Sequence, residues 1–276
     1  MSSRHRKLMR FVLYLPVTLS ALAALLPLYW LLTGSVKAPD ALMKVPPEIV
    51  PRDVTFAHLQ NLFEVTPAAR WLLNSLLIAG ITTTSNVILC SMAGYGFAKM
   101  TFPGRRTLFW ICLCTMMVPA QVTVIPLFLM VRGMGLIDTY AGIVLPSLAT
   151  AFGIFLMKQF IQSMPDSMIE AARIDGSSEF MIFWRIIFPL SKPAVAVLAI
   201  LTFTSSWNSF LWPLLVAVDD HLWTLPVGIA SLNDNFFKDY GMTMAGAAVA
   251  AVPMIVLFLF LQRYFLKGLT VGAVKG

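Results

Sequence analysis

The chain has 276 residues, of which 58% are hydrophobic and only 12% charged, with a formal net charge of +7 and a mean hydropathy of +0.80. Soluble domains carry about 25% charged residues, which excludes water as the solvent for most of this chain. Nucleic acid is also excluded as a partner, because no basic cluster interleaves with aromatic residues on a polar face.

Six stretches lack Asp, Glu, Lys, Arg and His: Phe11–Leu32, Trp71–Phe97, Leu108–Val131, Tyr140–Met157, Ala194–Val218 and Met242–Gln262. A membrane-spanning helix needs about 17–25 mostly apolar residues. Buried helices of a soluble core would not supply six such runs. The expectation is an all-α polytopic membrane protein, six transmembrane helices forming a single domain over residues 1–276 in the lipid bilayer. The first stretch has a basic flank, but it exceeds a secretory core and lacks a small-residue cleavage site leading into a polar segment. It reads as an uncleaved first span.

After it, the segment Thr33–Arg70 carries Pro39, Pro46, Pro47, Pro51 and Pro67. Proline fixes φ and removes a donor, so this is an ordered, mostly extended excursion with a short helix around Phe56–Phe63. In the second stretch, "GITTTSN" (Gly80–Asn86) offers small residues and hydroxyls, the chemistry of close packing between membrane helices. Cys90, Cys112 and Cys114 all fall inside spans, and Cys112 and Cys114 are two apart, on different helix faces. They read as small buried residues rather than a disulfide or metal site. His5, His58 and His221 are scattered over three loops, so no zinc set is assembled. No G-x-x-x-x-G-K-[ST] run occurs, so the chain binds no ATP through a P-loop of its own. No span holds an ionisable residue, which disfavours an internal proton relay.

With a cytoplasmic N-terminus, 14 of the 20 Lys and Arg residues fall on inside segments. Short cytoplasmic loops are the basic ones. Both termini and the segment Met164–Pro193 are therefore expected inside, with Thr33–Arg70 and Asp219–Gly241 outside.

Between spans four and five lies a charged island, "MPDSMIEAARIDGSSEFMIFWRIIFPLSKP". Ser163–Asp166, with Pro165 in the first turn, has the signature of a helix start, predicting a short helix over Met164–Ile174. Gly176 sits where a left-handed C′ residue ends it. Ser177 then caps a second helix with an apolar stripe, closed by Pro189. On physics alone, this helix–turn–helix is either an amphipathic interfacial loop or a helix offered to a groove on a partner.

Span five reads "AVAVLAILTFTSSWNSFLWPLLVAV". Thr202, Ser205, Ser209 and Trp212 recur at steps of three and four along one helical face, with Asn208 beside them and Pro213 after. The outside segment Asp219–Gly241 is acidic, and "MAGAAVAAVP" (Met244–Pro253) begins a small-residue last span.

"EAARIDGSSEFMIFWRIIFPL" resembles the EAA loop of bacterial ABC importer permeases: E-A-A, three residues, G, nine residues, I-x-L-P. Glu170, Ala171, Ala172, Gly176, Ile186 and Pro189 match in spacing, Asp175 supplies the frequent D-G pair, and Phe188 replaces the pattern's Leu. "PLYWLLTGSVK", "NSLLIAGITTTSNVILCSMAGYGFAK", "GLIDTYAGIVLP", "WNSFLWPLL", "TLPVGIA" and "QRYFLKGLTVGAVKG" look like the carbohydrate-uptake (MalG-like) branch, and the resemblance covers essentially the whole chain. It implies an ABC importer type I permease in a bacterial or archaeal cytoplasmic membrane. Its partners would be a MalF-type permease, a cytoplasmic ATPase dimer that holds the ATP and Mg, and an extracytoplasmic solute-binding protein.

By this resemblance, Glu170, Ala171, Ala172, Asp175, Gly176, Ile186 and Pro189 belong to an ATPase-coupling loop whose first helix sits in the ATPase. The branch carries disaccharides, oligosaccharides, glycerol phosphodiesters and amino sugars, so one solute is not specified, and either permease subunit could hold it. Sugars present hydroxyls and C–H faces, which makes Ser205, Asn208, Ser209 and Trp212 suitable pathway residues; helix–helix contact is the competing reading of the same face. A secondary transporter or channel acting without an ATPase would want charged or repeat-related midplane sites. A membrane enzyme would need a nucleophile–base or metal set. Neither is visible in the sequence.

Overall fold

The structure is a computed structural model that describes residues 3–232 and 239–273, with side chains described for 13–232 and 239–260. One compact unit is drawn from residues 1–69 and 229–252, and the other from 70–228 and 253–276. Among the described residues every regular element is helical, apart from an isolated antiparallel bridge between Lys37 and Val54.

The first unit begins with α1 (Ser3–Gly34), an uninterrupted helix despite Pro16 and Pro27. From Leu13 to Leu26 its side chains are exposed, and an all-round apolar helix of this kind suits lipid. The proline-rich excursion then adds α2 (Pro39–Leu42) and α3 (Ala57–Val65), the latter close to the expected short helix. Tyr29 donates to the Ile49 carbonyl at 3.0 Å, tying the excursion to α1. Lys37 is buried, with its Nζ 3.9 Å from the Trp30 ring centroid, while its carbonyl meets His58 Nε2 at 3.0 Å.

The second unit is built on α4 (Ala68–Lys99), a single long helix. The third stretch departs from a single span: α5 (Arg105–Cys114), a 3₁₀ turn and α6 (Ala120–Gly133) form a pair bent by 104°. The break falls at Val118, extended at φ −83° and ψ 119°, because the residue before Pro119 avoids the helical region. The fourth is α7 (Tyr140–Val144), a 3₁₀ turn containing Pro146, and α8 (Ala151–Gln162), bent by 44°. Thr139 and Thr150 accept hydrogen bonds from the Gly142 and Gly153 amides, satisfying donors at each helix start.

The island folds as α9 (Ser167–Ile174), α10 (Glu179–Ile182), a π-helical turn over Phe183–Ile187 and α11 (Phe188–Leu190). Pro189 does not close the second helix as expected. The chain widens into the π turn ahead of it, a geometry that accommodates a residue unable to donate, and Pro189 sits in the first turn of α11. After Ser191 comes α12 (Lys192–Trp207), bent 80° from the preceding helices, and then α13 (Leu211–Val216). α14 (Leu225–Ser231) and the long α15 (Tyr240–Ala273), which contains Pro253, complete the order. Leu13–Gly34, Ala68–Lys99 and Tyr240–Phe260 are each long and apolar enough to cross a membrane, and with each bent pair taken as one span the total reaches six.

The main core of the second unit places the island on the spans. Ile169, Ala172, Ile182, Phe183 and Ile187 pack with Tyr95 and Cys90 of α4, Met157 and Ile161 of α8, and Leu198 of α12. α4 and α8 approach closely at Gly94, where a Cβ would lie 2.8 Å from the Lys158 amide nitrogen. Small residues allow such approach in membranes, where packing rather than hydrophobic transfer drives association.

Candidate functional site

Two places in the second unit gather the residues singled out in the sequence. The first is a cavity of about 450 Å³, lined by Ile78 and Thr82 of α4, Ile143 and Ser147, Thr150 and Phe152, Leu198, Leu201, Thr202, Ser205 and Ser206 of α12, and Ser209, Trp212 and Pro213. Its polar side chains are hydroxyls and the Trp212 indole, and no lining side chain is ionisable.

The helical face expected to run unbroken through span five is interrupted. α12 ends at Trp207, and the Asn208 side-chain amide folds back onto the Thr204 carbonyl at 2.9 Å. Ser209 and Phe210 form the break before α13 starts at Leu211. This break aims Ser209 and Trp212 into the same space as Ser205, whereas Asn208 caps the helix, is exposed, and does not line the cavity. The Trp212 Nε1–H donates to the Ile143 carbonyl at 3.2 Å, so the ring is held by its edge.

Sequence reasoning missed Asn86, which is fully buried. Its amide donates to the Ser147 carbonyl at 3.2 Å, and its Oδ1 accepts from Thr202 at 3.4 Å, tying α4, the α7–α8 turn and α12 together beside the cavity. The signal was available: an Asn inside an apolar run must find partners, because lipid offers none.

The second place is α9. The helix starts at Ser167 rather than Met164, and Asp166 precedes it without capping an amide. Its carboxylate is taken instead by Lys99 Nζ at 2.5 Å, and the same ammonium reaches the Met164 carbonyl at 2.6 Å. At the other end Gly176, at φ +79°, donates to the Arg173 carbonyl at 3.0 Å, and the Ser177 amide to that of Ala172 at 2.9 Å. This is a Schellman closure, and it requires the left-handed residue at Gly176. Ser178, not Ser177, caps the next helix by accepting from the Met181 amide at 3.3 Å, since Ser177 is used in the closure.

α9 buries Ile169 and Ala172 and exposes Glu170, Ala171 and Ile174, the last 86% exposed. Ala172 therefore faces the core, and the open face carries Met168, Ala171 and Ile174 beside Glu170. Of the remaining loop residues, Ile186 packs partly against the core, while Asp175 and Pro189 are exposed. Arg173 Nε donates to Glu179 Oε1 at 2.7 Å, and Tyr95 to Glu179 Oε2 at 2.5 Å. The Arg173 guanidinium, followed by the Tyr95 hydroxyl, holds the Glu179 carboxyl below its ordinary range.

The family model described as "Binding-protein-dependent transport system inner membrane component" matches residues 86–271. The arabinooligosaccharides transport system permease protein AraQ of Bacillus subtilis (strain 168) is 39% identical over 270 residues, covering 97% of this chain and 96% of AraQ. The sn-glycerol-3-phosphate transport system permease protein UgpE of Yersinia pestis bv. Antiqua (strain Antiqua) is 30% identical over 264 residues, covering 93% of this chain and 94% of that protein. Among solved structures, a chain of a bacterial ABC transporter involved in the import of the acidic polysaccharide alginate superposes with a TM-score of 0.85 at 25% identity, covering 96% of this chain and 99% of the other. Helical architecture, a tethered loop helix and near full-length matches to permeases agree: the chain belongs to the binding-protein-dependent transport system inner membrane components, the multi-pass permease subunits of ABC importers.

Proposed function

We propose that this permease passes a neutral saccharide across the cytoplasmic membrane. The observation that supports the reading is the cavity, whose walls set hydroxyls and the Trp212 ring among apolar side chains and hold no ionisable side chain. A neutral sugar offers hydroxyls to Ser205 and Ser209 and a C–H face to an indole. An anionic solute would lose water and find no cation in the cavity walls, and burying an unpaired charge is costly. Named relatives and neighbours span both classes: arabinooligosaccharides for AraQ on the neutral side, glycerol-3-phosphate and alginate on the acidic side.

In this reading α9, with its open Met168, Ala171 and Ile174 face, seats in a cytoplasmic ATPase dimer, and Glu170 meets a basic residue there. A MalF-type permease completes the pathway, and an extracytoplasmic solute-binding protein delivers the sugar. Proteoliposomes holding the assembled importer and its solute-binding protein test the solute class. Uptake of labelled arabinotriose should be unaffected by equimolar glycerol-3-phosphate or alginate oligosaccharide, and Trp212→Ala should lower it about tenfold, roughly 1.4 kcal/mol, with ATPase association unchanged. Uptake of the acidic solutes at a similar rate overturns the neutral assignment.

Membrane orientation has its own test. With the native cysteines replaced, Ser177→Cys should react with an impermeant maleimide only after cell lysis, and Asp220→Cys in intact cells. Equal reactivity in intact cells would overturn the inside placement of the EAA loop.

A further inference from the structure

The polar side chains that reach the α9 segment from the spans belong to one membrane helix. Tyr95 and Lys99 are four residues apart on α4, hence on one face. Tyr95 is 4% exposed and donates to Glu179, whose other carboxylate oxygen is held by Arg173 from the end of α9. Lys99, its side chain 5% exposed, grips Asp166 and the Met164 carbonyl at the start of α9. Between these two polar holds, Ile169 and Ala172 press into the core. The short helix is thus fastened at both ends as well as along its buried face.

The same α4 carries Ile78 and Thr82 in the cavity wall and Asn86 beside it. No break interrupts the helix between Thr82 and Lys99, a distance of about 25 Å at 1.5 Å per residue.

We propose that Tyr95 and Lys99 are positioning residues that transmit displacement of α9 through α4 to the cavity, Tyr95 anchored on Glu179 and Lys99 on Asp166. The proposal rests on the reading of α9 as the ATPase-seated helix. It separates two roles that a docking loop could merge: the exposed face of α9 engages the partner, while the fastenings behind it pass the movement on. Tyr95→Phe removes one hydroxyl, and Lys99→Met removes one ammonium while keeping an unbranched chain. Neither change touches the exposed face.

The test uses the assembled importer in nanodiscs, with the native cysteines replaced and Leu201→Cys as a reporter in the cavity wall. The probes are maleimide labelling with and without ATP plus vanadate, ATP hydrolysis, and recovery of the ATPase with the permease. In the reporter background, trapped nucleotide should change the labelling rate. Adding Tyr95→Phe and Lys99→Met should abolish at least two-thirds of that change, with ATPase recovery unaltered and hydrolysis continuing. Lys99→Arg should retain the response. A full labelling response in the double variant overturns the proposal, as does loss of ATPase recovery, which would make these residues part of docking. If the double variant does not assemble, Glu179→Gln, at a partly exposed side chain, is judged by the same two outcomes. Failure of the ATPase to associate with the unaltered permease would instead overturn the coupling reading itself.

Discussion

Glu170→Lys combined with Gly176→Val should leave the protein inserted in the membrane while reducing the ATPase recovered with it at least tenfold. Gly176 stands at φ +79°, with nothing within 4 Å of where its Cβ would be, so the obstacle is conformational rather than steric. A left-handed backbone costs an L-residue about 1–2 kcal/mol, and a β-branched valine resists it further. Relief would come from reopening the turn, which breaks the two closing bonds onto Arg173 and Ala172 and rotates the exposed face of α9. Glu170→Lys reverses the charge on that face. An exposed ion pair contributes only about 0–1 kcal/mol, so Glu170→Lys alone should have a small effect, and the pair of changes a large one. Affinity capture through a tag on the permease, followed by quantification of ATPase in the eluate, measures it. A well-expressed double variant with normal capture and transport would remove α9 from the coupling role.

A second large effect should come from Gly94→Val, which ought to destabilise the second unit by about 3 kcal/mol, the upper part of the usual overpacking range. The clash is largely with backbone, since the new Cβ would stand 2.8 Å from the Lys158 nitrogen and 3.0 Å from the Met157 carbonyl carbon. A flexible side chain could yield, but two helix backbones have to separate. Separation would also strain the contacts of Asn86 and Cys90 with Ser147 and Thr150, which lie across the same pair of segments. Gly80→Ala on the same helix is the control, because nothing lies within 4 Å of its Cβ position. Thermal aggregation of the detergent-extracted protein, followed by size-exclusion chromatography, should show a clear drop for Gly94→Val and none for Gly80→Ala. Matched profiles would mean that the α4–α8 approach does not limit stability.

The membrane class, the number of spans and the position of the island were legible because each rests on a long-range average: an uncharged run is visible however its helices bend. Gly176 was legible for a local reason, since a glycine just past an apolar–charged helix has one common use. The breaks were not. Pro16, Pro27, Pro126 and Pro253 all lie inside continuing helices, whereas Pro119 and Pro189 sit at or near interruptions. Proline identity alone does not separate these outcomes, because the freed carbonyl can be satisfied by neighbouring groups that the sequence does not place. The helical face drawn through Thr202, Ser205, Ser209 and Trp212 assumed one axis from end to end. All four members line the cavity, but Ser209 and Trp212 do so by way of a break, and that same break removes Asn208 from the lining.

α4 has 32 residues, about 48 Å of helix at 1.5 Å per residue, against a hydrocarbon layer about 30 Å thick. The surplus has to be taken up by tilt or by projection beyond the lipid tails. Either way, the Lys99 end can sit at headgroup depth, where its ammonium, already paired with Asp166, lies clear of the lipid tails. The lipid tails do not set a unique inclination for a helix this long. Its angle is set by what grips its ends and flanks, so the helix can pivot in the bilayer without exposing a charge to hydrocarbon.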